Sequence, residues 1–387
     1  MSTVSGLLAA ALMLLGAEPA ASTTDDPAAH NEAQAQRLEQ QMPLGPRSAK
    51  ALRLRVTWRT PIDASSITDV YLSGGGLFLV NTSNEVEMVD LHTGRGRWTS
   101  FGAGGADLIM NVVHLPEAQR VYVVRSDSIL TLSATTGLPL SNTASQASVQ
   151  PLDWLAATAG VAYDGKYIYG GLSGEVVWQA WQIGVVATAH RIGRRIAVPP
   201  VIAGDTVIAS AEGGNLAAFD ANSGSLKWQY KLLEGASGEP ATSSRLVAIA
   251  STDQHLRMLN AADGRLRWSR MFATPLRDGP TMIDDGVYQQ VPGTGLVKMQ
   301  ALPANAPEGV EVWTAEDVTG SVVGTTGDLL IAWDAASATL QTVSARTGSV
   351  DATVPLNQVS HFAIDGNVIV LIGGNSELEC LTTAGSN

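Results

Sequence analysis

Three arginines are the most prominent candidate binding residues in this sequence. The segment AHRIGRRIAVPP places Arg191, Arg194 and Arg195 close together in a chain of 387 residues whose formal charge is −12. Because a guanidinium group pairs bidentately with a carboxylate, these side chains could bind an acidic patch on a partner. The alternative is a solvated loop before a strand that begins at Val198.

Two tryptophans precede the arginines and form a second candidate. Trp178 and Trp181 lie on a predicted strand, VVWQAWQ. A spacing of three puts them on opposite faces of a strand, so we expect one ring to be exposed. Exposed aromatic and arginine side chains are the usual composition of an interface hot spot. Degeneration of the pattern without any function is the alternative.

Catalytic and metal-binding residues form no recognisable motif in the sequence. The six histidines show no HxH, HxxxH or HExxH spacing, and they are His30, His92, His114, His190, His255 and His361. No GxSxG sequence is present, and the single cysteine, Cys380, is predicted to be a core residue of a late strand. The pairs Asp25-Asp26 and Asp284-Asp285 lack further oxygen ligands at calcium-loop spacing, and the second pair predicts a hairpin turn. We therefore predict no catalytic residue, no cofactor and no metal, with a zinc site built from distant histidines as the alternative.

The elements that position these residues are strands. From Arg55 onward, apolar residues alternate with a period of two, as in DTVIAS at 205–210 and NVIVLIGG at 367–374. A recurring unit closes a turn on a glycine and places a tryptophan four residues later. The clear copies are Gly94 with Trp98, Gly224 with Trp228, Gly264 with Trp268 and Gly309 with Trp313. Gly137 and Gly348 keep the turn without the tryptophan, and the copy at 174–184 shows no evident turn glycine.

The repeat spacing predicts the architecture. The tryptophan-equivalent positions 58, 98, 141, about 184, 228, 268, 313 and 352 are about 39 to 45 residues apart, as expected for a four-stranded propeller blade. Trp58 has no turn before it, and the last copy has Ala384-Gly385 at its turn position with no strand after it. The N-terminal segment has the tryptophan strand without a turn, and the C-terminal copy has the turn without a tryptophan strand. The sequence thus predicts an all-β, eight-bladed propeller that the N-terminal strand closes by joining the last blade, with the tryptophans buried between blades.

The pattern AGDTVIASAEGGNLAAFDANSGSLKWQY resembles the PQQ-like repeat of eight-bladed propellers. That family includes quinoprotein dehydrogenases and the non-enzymatic BamB-like branch of outer-membrane assembly factors. The dehydrogenases hold their quinone over vicinal cysteines, which a chain with one cysteine cannot provide. The repeat itself does not distinguish the two branches, but the missing cysteine pair favours the BamB-like, non-enzymatic one.

The N-terminal region predicts export. The apolar run from Val4 to Ala17 is shorter than the roughly 20 residues of a membrane span and suits a signal peptide over residues 1–21, cleaved after Ala21. Residues 22–50 read as a polar, flexible connector, and residues 51–387 as the propeller. The acidic composition disfavours nucleic acid as a partner.

Together these features predict an exported periplasmic or envelope-associated monomer. Its predicted role is that of a non-catalytic scaffold that binds another envelope protein. We expect the protein to have no membrane span after signal cleavage. A quinoprotein-type oxidoreductase with an atypical site, or a propeller that senses a polysaccharide or small ligand, are the alternatives.

Overall fold

The computed structural model describes residues 32, 36–37, 39–101, 108–141, 148–181, 184–373 and 375–383. The predicted signal peptide, Asp25-Asp26, His30 and Gly385 lie outside these residues. The elements with described bounds include the short helix α1 (Pro46–Ala51), two 3-10 turns (Ala64–Ser66 and Pro116–Ala118) and 32 strands. No helix within this part has the length and apolar character needed to cross a bilayer.

The strands form eight four-stranded antiparallel sheets, which confirms the predicted eight-bladed propeller. Blade 1 consists of β2 (Ile67–Ser73), β3 (Gly76–Asn81), β4 (Glu85–Val89) and β5 (Gly96–Phe101). Blade 2 consists of β6 (Ile109–Leu115), β7 (Arg120–Arg125), β8 (Ser128–Ser133) and β9 (Val149–Pro151). Blade 3 consists of β10 (Ala156–Tyr163), β11 (Lys166–Gly171), β12 (Glu175–Ala180) and β13 (Val185–Arg191). Blade 4 consists of β14 (Ile196–Ala203), β15 (Thr206–Ala211), β16 (Asn215–Asp220) and β17 (Leu226–Lys231).

The second half of the ring repeats this arrangement and closes it. Blade 5 consists of β18 (Ala241–Thr242), β19 (Leu246–Ala250), β20 (His255–Asn260) and β21 (Leu266–Met271). Blade 6 consists of β22 (Thr281–Ile283), β23 (Gly286–Val291), β24 (Gly295–Gln300) and β25 (Glu311–Ala315). Blade 7 consists of β26 (Ser321–Thr326), β27 (Leu329–Asp334), β28 (Thr339–Ser344) and β29 (Val350–Pro355). Blade 8 consists of β30 (Val359–Asp365), β31 (Val368–Gly373), β32 (Glu377–Thr383) and, as its outer strand, β1 (Leu54–Pro61).

Ring closure takes the predicted form. Strand β1 pairs antiparallel with β32 from Leu54 opposite Thr383 to Pro61 opposite Glu377, so the N-terminal strand completes the last blade. The first strands of neighbouring blades contact one another around the axis, for example β2 with β30 and β10 with β14. The fourth strands therefore lie at the periphery. We call the face that carries the loops from one blade to the next the upper face, and the opposite face the lower face.

The core lies in the seams between blades. The two middle strands of a blade are packed on both faces, as in β15, whose six residues are all buried. The outer strand β17 buries Trp228 and leaves most of its other side chains at least partly exposed. Trp228 and Trp268 are 8 % and 1 % exposed, which confirms the prediction that both are buried.

Each repeat tryptophan connects two blades by a hydrogen bond as well as by packing. The indole N–H donates to a backbone carbonyl at the start of the lower-face turn of the following blade. The pairs are Trp58 to Leu91 (2.6 Å), Trp98 to Ala134 (2.9 Å), Trp228 to Ala261 (2.7 Å), Trp268 to Ala301 (2.9 Å) and Trp313 to Ala345 (3.2 Å). The turn glycine that follows lies against the same ring, so that a Cβ on Gly264 would meet the Trp228 ring at 2.6 Å. The pattern of glycine and tryptophan is therefore an inter-blade contact between successive repeats.

Blade 3 differs from the sequence prediction. It has all four strands, and its turn glycine is Gly184, whose N–H donates to the Ala180 carbonyl at 2.9 Å, as Gly224 does to Asp220. The expectation that this copy lacks a turn glycine is therefore wrong. The tryptophan-equivalent position is 188, four residues later, and it is occupied by Thr188. The error arose because Ala180 stands where most copies have a polar residue, which hid the turn.

In blade 3, a tryptophan on the third strand takes the place of the repeat tryptophan of the fourth strand. Trp178 on β12 lies opposite Thr188 on β13, whereas blade 4 has Ala218 opposite Trp228. The Trp178 indole N–H donates to the Ala221 carbonyl at 3.0 Å, the bond that a tryptophan at 188 would otherwise make. In blade 2, the side-chain amide of Gln150 makes the corresponding bond, to the Trp181 carbonyl at 3.2 Å.

The segment before β1 is packed against the propeller where the sequence predicted a flexible connector. Leu44, Ala49 and Leu52 are 1 %, 2 % and 0 % exposed, and they fill the seam between blades 7 and 8. The Asn357 side-chain amide donates to the Met42 carbonyl at 2.9 Å. This seam lacks a repeat tryptophan, because position 352 is alanine, and the packed segment fills it instead. The expectation of flexibility up to residue 50 does not hold for residues 42–50, and we call residues 39–52 the strap.

Candidate partner-binding surface

The three arginines lie in and beside the upper-face loop that joins blade 3 to blade 4. Arg191 is the last residue of β13, and β14 begins at Ile196, two residues before the predicted start. The loop is held from below, because the Ile192 N–H donates to the Gly174 carbonyl at 3.0 Å and the Ile192 side chain is buried. Gly174 has φ +95°, and a Cβ there would collide with the Arg194 carbonyl, so this packing requires glycine.

All three arginine residues are exposed, and they form no ion pair with a carboxylate of the described residues. Arg191 and Arg195 make only long hydrogen bonds to backbone carbonyls, at 3.4 Å to Gly193 and 3.4 Å to Ala157. Glu175 lies opposite Arg191 in register, but its buried carboxylate lies against Gly171, 3.1 Å from where a Cβ would be. The loop is therefore a basic island on an acidic molecule.

Two exposed leucines adjoin this island, and sequence reasoning missed them. Leu155 is 52 % exposed and Leu172 is 44 % exposed. The Leu172 N–H donates to the Leu155 carbonyl at 2.9 Å, so the two residues are neighbours. Leu172 begins the hairpin that ends at Gly174, beneath the arginine loop. An apolar residue in the turn GLSGE was the available signal, but its link to Leu155 depends on tertiary structure.

The side chains of this surface are suited to binding. Arginine supplies a planar donor for carboxylates, and exposed leucine supplies apolar area that a partner could bury. In the described part of the chain, His, Cys, Asp and Glu side chains form no group of three or more able to hold a metal ion. Asp284 and Asp285 form the hairpin turn between β22 and β23, as predicted. Cys380 is buried in β32, and burial raises the pKa of its thiol to about 12.

The tryptophans are not part of this surface, and the expectation that one is exposed is wrong. Trp178 and Trp181 are 0 % and 1 % exposed. Trp181 follows the end of β12 at the lower face and stacks on Tyr122, with ring centroids 4.4 Å apart. Trp178 contacts Phe219 edge-to-face at 5.3 Å. The two rings do lie on opposite faces of blade 3, but neighbouring blades cover both faces, so Trp178 is buried against blade 4 and Trp181 against blade 2.

Comparison with known proteins identifies the family. The family model described as outer membrane protein assembly factor BamB matches residues 161–386, which span blades 3 to 8. This chain belongs to the BamB family. Its membership confirms the resemblance inferred from the repeat. No curated protein matches the chain.

Solved structures agree with the BamB fold. BamB from Moraxella catarrhalis superimposes with a TM-score of 0.65 at 16 % identity, covering 86 % of this chain and 99 % of that one. The computationally designed Ika8 protein gives a TM-score of 0.63 at 11 % identity, covering 85 % and 99 %. The C-terminal WD40 domain of Sif2 gives 0.62 at 9 % identity, covering 86 % and 99 %. At such identities these structures support the propeller fold alone.

Proposed function

We propose that this BamB-family protein is a non-catalytic scaffold that binds another protein of the cell envelope through its upper face. The single observation that carries the proposal is the exposed arginine loop, in which Arg191, Arg194 and Arg195 lack a carboxylate partner beside two exposed leucines. The Ile192 N–H anchors the loop to the Gly174 hairpin, and a donor surface held in this way has less freedom to lose on binding.

The chemistry of the surface indicates the chemistry of the partner. A protein of net charge −12 repels most acidic surfaces at long range, yet three local guanidinium groups attract carboxylates at short range. The partner segment should therefore carry Asp or Glu next to an apolar side chain that covers Leu155 and Leu172. The family description, outer membrane protein assembly factor, supports an envelope setting. We also propose export through residues 1–21 and a monomeric protein.

The proposal is tested by charge reversal combined with crosslinking in cells. A photoreactive amino acid at position 172 should capture one discrete partner. Changing Arg191, Arg194 and Arg195 together to Glu should abolish this capture and leave the thermal midpoint nearly unchanged, because all three side chains are exposed. The matched control changes Arg95, Arg265 and Arg346 to Glu, which alters net charge equally on lower-face turns. Capture should survive in the control.

Two results would contradict the proposal. Capture that persists in the Arg191/Arg194/Arg195 variant would remove this loop from the interface. Turnover of an alcohol or sugar by the purified protein with added quinone and calcium would contradict a non-catalytic role.

A further inference from the structure

A cavity of about 280 Å³ lies in the seam between blade 8 and blade 1. Blade 8 contributes Thr60 and Leu378 to its wall, and blade 1 contributes Leu79, Glu87 and Thr99. The floor is apolar, and Thr99 is exposed, so the cavity opens to solvent at the periphery. Its volume is below the roughly 300 Å³ at which pockets for drug-sized ligands begin, and it suits a single long side chain.

Glu87 is a half-buried charged group of this cavity that lacks a partner among the described residues. Its carboxylate has no hydrogen bond or ion pair to the described residues, and burial raises its pKa. Glycine at position 96 makes room for it, because a Cβ there would collide with Glu87 Oε1. A half-buried carboxylate without a partner is costly, so the site favours an occupant that supplies positive charge and hydrogen-bond donors.

The neighbouring seam shows the same position with its partner present. Glu379 lies opposite Arg59 across the β32–β1 pair, next to the Cys380–Trp58 pair. Glu87 lies opposite Thr99 across the β4–β5 pair, next to the Met88–Trp98 pair. The two carboxylates are therefore equivalent in register, and they point into successive seams of the ring.

The Glu379 carboxylate accepts hydrogen bonds on both oxygens, unlike that of Glu87. Arg59 donates to Glu379 Oε1 from Nε at 3.0 Å and from Nη2 at 2.9 Å. The Leu44 N–H of the strap donates to Glu379 Oε2 at 3.0 Å, and Arg59 also donates to the Leu44 carbonyl at 3.2 Å. In this seam, the Glu379 carboxylate, the Arg59 guanidinium group and the strap backbone at Leu44 form one hydrogen-bonded network.

Electrostatics favours the same class of ligand at Glu87. The other charged residues of the cavity wall are Asp63 and Glu85, and no lysine, arginine or histidine lines it among the described residues. Glu85 accepts a hydrogen bond from the Asn81 side-chain amide at 2.7 Å, so Glu87 remains the acceptor available to a ligand.

We propose that the Glu87 cavity binds an arginine side chain from a segment of another polypeptide, in the way that Glu379 binds Arg59. A guanidinium group fits better than an ammonium group, because its planar fork can donate two parallel hydrogen bonds to one carboxylate. The site shares no residue with the Arg191–Arg195 surface. The two proposals can therefore fail independently.

The experiment uses the full chain and N-acetyl-arginine amide as the probe, with N-acetyl-citrulline amide as its uncharged analogue. Carboxyl-carbon NMR of protein with isotope-labelled glutamate follows the titration of Glu87. The arginine probe should lower the apparent pKa of Glu87 by at least about half a unit, because a bound cation favours the ionised form. The citrulline probe should leave that pKa unchanged. Glu87→Gln should remove the response of the thermal midpoint to the arginine probe, and Glu117→Gln, at an exposed lower-face site, should retain it.

An internal arginine provides a second measurement that needs no probe. Thr99→Arg reproduces the Arg59 position beside Glu87 and should raise the thermal midpoint by about 1–2 °C. The same change in the Glu87→Gln background should give no rise. An unchanged Glu87 signal with the arginine probe, or an equal response to both probes, would overturn the proposal. A response to calcium chloride alone without one to the arginine probe would also overturn it.

Discussion

At the residue scale, most repeats share the hydrogen bond from a tryptophan indole to the next blade, although the tryptophan need not lie on the same strand. Trp178 on the third strand of blade 3 makes the indole-to-carbonyl bond that Trp228 makes from the fourth strand of blade 4. Directly opposed residues of an antiparallel pair lie on the same side of the sheet, so a large and a small residue can exchange strands and still fill the seam. A Cβ on Gly224 would touch Thr188, which places Thr188 where the repeat tryptophan usually lies.

This exchange predicts a rescue. Trp178→Ala should lower the free energy of unfolding by about 3–5 kcal/mol, because it empties a buried seam and leaves the Ala221 carbonyl without its donor. Adding Thr188→Trp to that variant should recover at least half of the loss, since it restores the arrangement of blade 4. Equilibrium unfolding in denaturant measures both values. A double variant no more stable than Trp178→Ala would contradict the equivalence of the two positions.

At the scale of elements, two different pieces of the N-terminal region close the ring. Strand β1 supplies the outer strand of blade 8, and the strap fills the seam between blades 7 and 8. Glu379 joins them, and its buried carboxylate has a raised pKa because burial outweighs the opposing effect of Arg59. The strap and strand thus stabilise the same closing blade by different contacts.

Deletion of residues 51–60 should open the ring and strongly lower the thermal midpoint. It removes most of β1 and exposes the edge of β32, which would otherwise be paired along its length. Removal of residues 39–50 alone should lower the thermal midpoint less. The β1–β32 hydrogen bonds remain in that variant, and the strap contacts, including those of Leu44 and Ala49, are lost. Differential scanning calorimetry distinguishes the two variants. Equal midpoints for the 51–60 deletion and the intact protein would refute closure by β1.

At the scale of the whole molecule, the aspartates of the lower-face turns make the stability of the fold depend on pH in the acidic range. Asp220 has a lowered pKa, first because the Ser223 backbone N–H donates to it, and Arg97 lowers the pKa of Asp90 to about 2. In the unfolded chain both groups should titrate near 3.9. A lowered pKa means that the fold is stabilised above the unfolded value, and that this contribution is lost as pH falls through the folded value.

The thermal midpoint should therefore fall as the pH is lowered from about 4 to 2. Asp220→Ala should reduce the midpoint at pH 7 and have a smaller effect near pH 2, where the wild-type carboxylate also loses its charge. Thermal scans across this range measure the difference. An equal effect of the substitution at both pH values would show that charge at Asp220 does not contribute.

The sequence by itself determined the blade count, the closing strand and the absence of a recognisable catalytic motif. These features are local: turn, glycine and tryptophan lie within one repeat, and their spacing counts the blades. Only the tertiary structure revealed the contacts that join residues on different strands or different blades. The exchange between Trp178 and Thr188, the burial of the strap and the pairing of Leu155 with Leu172 join residues whose separation in sequence follows no period. Glu87 and Glu379 have the same register, and only the seam contacts reveal that one carboxylate has an arginine while the other has a cavity.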